Sequence, residues 1–389
     1  MANPSATITV VTSYYNDQDF LADAIASVLA QTYTNFEYIL INHASTDNSR
    51  QIAHSFADAR IKHIDLPFNY GGSGNILLQH ALNQASGEYI KLLNADDILL
   101  PDGLEKLYRL SQITQADLIF GNVQFIRADK TPTGKDWFTH QYPANLSTAE
   151  YLRYYMQGVP CLPYAGNFIR TQKLREIDLD YVSIQVADLG IWVEILLNGG
   201  KLACSTDIVA QYRIHDGQSC SASNLDIIGL RCQFEHILYY RHFFCKNIPL
   251  QLLKDLFPDT KYIAKLTDKD RDLFPFAMAL ALYRTVKKTT FRLACRQELA
   301  YWLNQLPSQH RIEQLFGYTI KDLREDIVQE PILLVPFTYT LEQKSKVNSR
   351  TGKLYRFTRR IFCKTLAVVW KWKRALKKLA PTNATDDFV

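Results

Sequence analysis

Glu88-Tyr89-Ile90-Lys91-Leu92-Leu93-Asn94-Ala95-Asp96-Asp97-Ile98-Leu99-Leu100-Pro101 is an apolar run that stops abruptly on two adjacent carboxylates. Tyr89 to Leu93, apolar apart from Lys91, reads as a short buried strand, and Pro101 suits the first turn of a following helix. Asp96 and Asp97 then fall in the turn between them. In an open α/β sheet this is the carboxyl end of a strand, where ligands bind. Two neighbouring carboxylates there suit Mg²⁺ or Mn²⁺, with substrate phosphates completing the coordination. The plainer alternative is that Asp96 caps the helix and Asp97 is solvated.

Outward from this stretch, strand and helix signals alternate. Ile8–Ser13, Phe36–Ile41 and Ile61–Leu66 are β-branched or aromatic runs that read as strands, and Leu118–Phe125 is a further one. Phe20 to about Gln31 carries Leu21, Ala24, Ile25, Val28 and Leu29 at helical spacing, Ser45 or Thr46 suits the cap of a helix reaching Phe56, and Ile76–Ala85 and Gly103–Ser111 read as helices. Short connections between alternating strands and helices predict an α/β fold with a mostly parallel sheet covered on both faces. Asp129–Tyr142, polar with Pro132 and Gly134, reads as a surface loop. The turn Gly71-Gly72-Ser73-Gly74 begins like a dinucleotide fingerprint, but Leu77 occupies the third glycine position and the turn follows the third strand, which argues against a nicotinamide cofactor.

The 389 residues suffice for a sizeable core and two domains. Seven scattered cysteines without CxxC spacing argue for a reducing compartment and against structural zinc. No secretory leader is visible, and no apolar window reaches the ~18 residues of a membrane span. The net charge of +5 is uneven: residues 343–380 hold thirteen Lys or Arg and no acid, so the remainder is acidic. Within 344–379 the basic residues interleave with Leu, Phe, Ile and Trp, a pattern that suits an anionic membrane surface, a helix packed on the body, or a partner contact. Nucleic acid is disfavoured because no recognised binding motif accompanies the charge.

Five pieces in order carry a resemblance: Val10–Asn16, Gln31–Glu37, Ser45–Ser49, Gly87–Ile90 and Asn94–Asp97. Together they resemble the successive signatures of family 2 glycosyltransferases, over roughly residues 6 to 221. The resemblance implies a GT-A fold, a nucleotide-sugar donor and Asp96 as metal-ligating acid of a DxD-type motif. It implies donor contacts from Thr12, Tyr14, Asn16, His43 and Asn94. Two positions depart from the pattern, since Asn94 and His43 stand where the family usually has acids. A neutral imidazole at 43 accepts a base N–H in only one tautomer.

Asp188 and Trp192 lie one helical turn apart, before a Gly199-Gly200 stop and a strand ending Tyr212-Arg213-Ile214-His215. This segment resembles the family's second signature, which implies Asp188 as general base, His215 as a possible metal ligand, and Asp97, Trp192 and Arg213 on the acceptor or phosphate side. The plain readings are a capping acid for Asp188, a core residue for Trp192 and a loop histidine for His215.

The expectation is an inverting, Mn²⁺- or Mg²⁺-dependent glycosyltransferase of cell-surface polysaccharide or glycan synthesis, acting on a glycan or lipid-linked acceptor. It would be cytoplasmic, with attachment to the inner membrane face through 344–379. The alternative is a catalytically silent sugar-binding or scaffold protein that retains the fold. The expected organisation is a catalytic domain over 1–221, an α-helical appendage over 222–342 with a long helix at Leu225–Phe244, and a basic amphipathic tail over 343–389.

Overall fold

Seven consecutive buried residues, Phe36–Asn42 (β2), lie beside seven more, Ile8–Tyr14 (β1), of which only Ser13 is partly exposed, and the two run parallel from Ile8 opposite Phe36 to Tyr14 opposite Asn42. A strand apolar on both faces requires cover on both. Alternate residues of each enter different cores, Val11, Ile39 and Ile41 on one face and Val10, Tyr38 and Leu40 on the other.

In the computed structural model the described residues are 7–71, 74–140, 142–180, 182–184, 186–217, 235–286 and 289–329. After β1 come α1 (Leu21–Leu29), β2, α2 (Ser49–Ser55), β3 (Ile61–Asp65), α3 (Gly74–Leu82), β4 (Tyr89–Leu92), β5 (Ile98–Leu99) and α4 (Gly103–Thr114). The chain continues through β6 (Leu118–Arg127), β7 (Pro132–Asp136), α5 (Trp137–His140), α6 (Thr148–Met156), β8 (Asn167–Arg170), α7 (Thr171–Arg175), α8 (Ala187–Leu197) and β9 (Leu202–Ile214). Sheet order is β3-β2-β1-β4-β8-β6-β9-β5, with β7 on β6. The first four strands are wholly parallel; β8 enters antiparallel between β4 and β6, and β9 returns parallel to β6.

Helices follow: residues 235–241 (α9), α10 (Leu250–Leu256), α11 (Lys261–Lys265), α12 (Phe274–Thr285), α13 (Thr289–Leu303), α14 (Leu306–Phe316) and α15 (Ile320–Gln329). Met1–Arg324 is one compact unit, and one core joins sheet residues such as Val11 and Phe120 to Phe276, Leu280 and Phe291 of the helices. The expected boundary near 221 falls outside the described residues, as do most of the helix expected at 225–244 and the tail 343–389.

Two local expectations are corrected. The stretch 129–142 is a hairpin rather than a loop: Lys130 adopts φ +69° and Gly134 φ +77°, and β7 pairs with β6. Polar edge strands lack the apolar alternation that signals a strand. After Asp97 the chain first makes β5 against β9, and α4 starts at Gly103 rather than Pro101. Gly87, next to the opening stretch, has no room for a side chain, since a Cβ would lie 2.4 Å from the Thr9 backbone nitrogen.

Candidate functional site

Above the carboxyl ends of β1 and β2, Asn16 and Ala44 both adopt left-handed backbone, φ +57° and +59°. Such conformations are rare outside glycine and cluster where a site dictates the backbone. Asn16 Oδ1 accepts from Thr46 N at 2.8 Å, and Asn16 N donates to Ser45 Oγ at 3.2 Å. Asn16, expected to touch the donor, therefore latches the two loops together. Thr12 and Tyr14, also expected there, are buried in the central strand; Tyr38 donates its hydroxyl to Thr12 Oγ1 at 3.0 Å. His43 lies at the cleft floor, where its Nε2 accepts from Tyr70 N at 2.6 Å and burial holds its pKa down.

The Asp96-Asp97 turn is held from β9. Arg213, 1% exposed, donates from Nε to the Asp96 carbonyl at 2.8 Å, from one terminal nitrogen to the Ala128 carbonyl at 2.6 Å and from the other to Asp23 Oδ2 at 3.2 Å. Its backbone N donates to Asp97 Oδ1 at 3.0 Å, and its guanidinium lies 4.8 Å from the Phe20 ring centre. Arg213, expected on the acceptor or phosphate side, is a buried brace of this turn. Asp97, expected there too, is fully buried, its Oδ2 accepts from Asn94 Nδ2 at 3.2 Å, and burial with the neighbouring Asp96 charge raises its pKa. Beneath it, buried Lys91 donates to the Ala165 and Leu92 carbonyls at 2.6 and 2.9 Å, and burial lowers its pKa to about 7 against the pull of Asp97.

Asp96 remains partly open. Its Oδ2 lies 3.1 Å from His215 Nε2, whose ring packs 4.4 Å from that of Phe20. Among the described residues no three His, Cys, Asp or Glu side chains form a metal cluster. A carboxylate with an imidazole at a strand end fits a divalent cation whose other positions are filled by phosphate oxygens and water. Asp17, which the polar turn Tyr14–Asp17 gave no reason to single out, joins this corner: burial first and then the Asp96 and Asp47 charges raise its pKa to about 6.

The other half of the site is α8. Its residues are almost all buried, so a helix apolar all round must sit inside. Asp188 in its first turn has a pKa raised to about 6 by burial, against the opposing pull of the Leu189 amide. Tyr155, Tyr164 and Tyr239 surround it closely enough to feel its charge. Tyr164, raised chiefly by burial, also feels Asp97. Trp192 takes the core position: it is fully buried, edge-on to Phe120 at 5.3 Å, and its indole N–H has no partner among the described residues. The structure thus brings Asp96 and His215 together, with Asn94 on the same turn, and places Asp188 in the first turn of α8. Lys91 carried a sequence signal as the lone charge in an apolar strand.

Residues 9–178 match the model of Glycosyl transferase family 2. The chain is 28% identical over 216 residues to the putative teichuronic acid biosynthesis glycosyltransferase TuaG of Bacillus subtilis (strain 168), covering 55% of this chain and 81% of that protein. It is 31% identical over 119 residues to the Escherichia coli UDP-Glc:alpha-D-GlcNAc-diphosphoundecaprenol beta-1,3-glucosyltransferase WfgD, covering 31% of this chain and 46% of that protein. The chain thus spans less than half the length of WfgD. The crystal structure of S. aureus TarS superposes with a TM-score of 0.52 at 16% identity over 75% of this chain and 53% of that one, a likeness of fold.

Removing the guanidinium leaves the Asp96 and Ala128 carbonyls without their donor, while Asp23 keeps Lys130. Arg213→Met is therefore expected to cost about 1–3 kcal/mol, measured as a lower urea midpoint. Arg213→Lys should recover only part of this, because one ammonium cannot span the carbonyls and Asp23 together. An unchanged midpoint in Arg213→Met would remove the residue from this role.

Proposed function

Residues 9–178 belong to glycosyl transferase family 2, and from that premise we propose that the protein is an inverting, metal-dependent transferase. It moves a sugar from a nucleoside-diphosphate donor to an acceptor hydroxyl in the synthesis of a surface polysaccharide or similar glycan. The observation that supports the reading is the Asp96–His215 pair just after β4, a carboxylate and an imidazole 3.1 Å apart and both partly open.

A sugar hydroxyl is a poor nucleophile at neutral pH. Asp188, with a pKa near 6, is ionised at pH 7 yet basic enough to take the hydroxyl proton as the new bond forms. Attack by one hydroxyl with one base needs no covalent intermediate, so the configuration at the transferred carbon inverts. Asp96 and His215 would hold Mn²⁺ or Mg²⁺, which when bound supplies Lewis-acid neutralisation of the diphosphate leaving group. Arg213, Asp97 and Lys91 keep the Asp96 turn in position, and Asn94 is oriented by Asp97. The names of TuaG and WfgD, a teichuronic acid biosynthesis enzyme and a transferase to a diphosphoundecaprenol-linked sugar, support a polysaccharide or lipid-diphosphate acceptor. Attachment of the basic segment 344–379 to an anionic inner membrane face belongs to the same reading and concerns residues outside those described. Among the described residues no helix is long and apolar enough to cross a membrane. A catalytically silent sugar-binding protein is the rival, favoured by a His43 whose Nε2 is already engaged by Tyr70.

Asp188→Asn is expected to lower kcat by about 10²–10⁴-fold with donor Kd unchanged in calorimetry; equal kcat would strip Asp188 of its role. Because the base must be ionised, log kcat should be flat above pH 7 and fall with unit slope as pH drops through about 6. A profile flat to pH 4.5 would contradict that assignment. EDTA should abolish turnover of a nucleotide-sugar panel and Mn²⁺ restore it, except in Asp96→Ala. No turnover by the native protein under any metal condition would favour the silent rival.

A further inference from the structure

Helix α8, which carries Asp188 in its first turn, brings no cap of its own: its N-cap is Val186, whose apolar side chain accepts no hydrogen bond. The acceptor for this entry comes from 49 and 51 residues further along the chain. Glu235 Oε2, in α9, accepts from Val186 N at 3.2 Å and from Ile184 N at 2.9 Å. Glu235 is 2% exposed, so these amides stand in for water at that oxygen.

The same segment meets α8 twice more. Tyr239 donates its hydroxyl to the Tyr155 carbonyl at 3.2 Å and lies near enough to Asp188 to feel its charge. Just past α9, the His242 ring packs on Gly190, where a Cβ would come 3.0 Å from Nε2, and its Nδ1 is 3.2 Å from Glu194 Oε2. Positions 184, 186, 190 and 194 are thus held by Glu235 and His242, and Asp188 falls inside that span. Both segments lie beyond residues 9–178, the part matched to the family.

We infer that Glu235 is a positioning residue for Asp188: by holding the Ile184 and Val186 amides it fixes where the first turn of α8 starts and so where the Asp188 carboxyl points. This rests on the reading of Asp188 as the base. A general base must stay within hydrogen-bond reach of the proton it takes, and a misplacement of about 1 Å costs up to about 10²-fold in rate. The reach of the side chain is what the role requires. Glutamine offers an oxygen at the same distance, whereas aspartate, one methylene shorter, cannot hold both amides from the same backbone position.

The native protein is assayed with Mn²⁺ and a panel of nucleotide sugars for release of the nucleoside diphosphate, and the variants are compared on the donor it turns over fastest. Glu235→Ala and Glu235→Asp are expected to lower kcat by about 10–10²-fold, with donor KM within about twofold of native. Glu235→Gln should retain kcat within about threefold. Amide hydrogen exchange in peptides covering 186–190 should quicken in the alanine and aspartate variants and stay native in the glutamine variant. The aspartate variant keeps the comparison available if the alanine variant does not fold. A protein that is merely destabilised loses activity in any background, but a misplaced base matters only where the base is present. Added to Asp188→Asn, either losing variant should therefore cost less than about twofold more. The same fold-loss in both backgrounds, or native kcat in Glu235→Asp, overturns the positioning role and leaves the transferase reading standing. Native activity in Asp188→Asn, or no turnover by the native protein, overturns both.

Discussion

One buried guanidinium fixes the geometry on which the site depends. Arg213 reaches the Asp96 carbonyl, the Ala128 carbonyl and Asp23 at once, while its own backbone amide holds Asp97. In this way the last strand, the Asp96-Asp97 turn, the β6–β7 hairpin and the first helix are tied at one point. A charge removed from water is tolerable only if its donors are met, and a planar guanidinium with five N–H groups can meet several partners that an ammonium cannot. The consequence reaches Asp96: its main chain is immobilised, so its carboxylate can stay open beside His215 without the turn collapsing.

A second buried layer lies below. Lys91 ties β4 to the turn Tyr164–Gly166, and Asn167 donates to the Leu92 carbonyl at 2.8 Å while accepting from Leu92 N at 2.9 Å. Gly166 is forced at this contact, because a Cβ would lie 2.2 Å from the Gly121 carbonyl oxygen. Tyr164 is thereby carried on the same framework as the metal turn. The opposite ends of the strands are locked by a different set: Glu37 accepts from Thr9 Oγ1 at 2.6 Å and from Ser86 N at 2.6 Å, and Arg170 pairs with Glu88 and Asp117 at 2.7 and 3.0 Å. Rigidity at that end leaves the carboxyl ends as the side where loops can adapt to a ligand.

The site's acids are held in different states by their surroundings. Asp97 is dry and crowded by Asp96, Asp188 is enclosed by phenols at the start of an apolar helix, and Asp96 retains contact with solvent. Carboxyl groups of one chemical type thus take on different protonation tendencies according to burial and neighbours, the general way in which one fold separates acid–base roles.

The sequence by itself determined the alternation of strands and helices, the covered parallel half of the sheet and the Asp96 turn, because apolar periodicity and turn chemistry are local properties of the chain. It also marked Lys91 as an anomaly and supplied the ordered signatures that identify the family. It did not distinguish side chains that reach the cleft from those that support it: Tyr14, Asp97, Trp192 and Arg213 have the same residue types whether buried or facing a ligand. Nor did it show that Asn16 is spent on Thr46, that His43 has one nitrogen committed to Tyr70, or that Asp17 and Tyr164 join the acids. Those outcomes depend on contacts between residues 27 to 117 positions apart, and burial, hydrogen-bond saturation and electrostatic coupling exist only once such distant segments pack together.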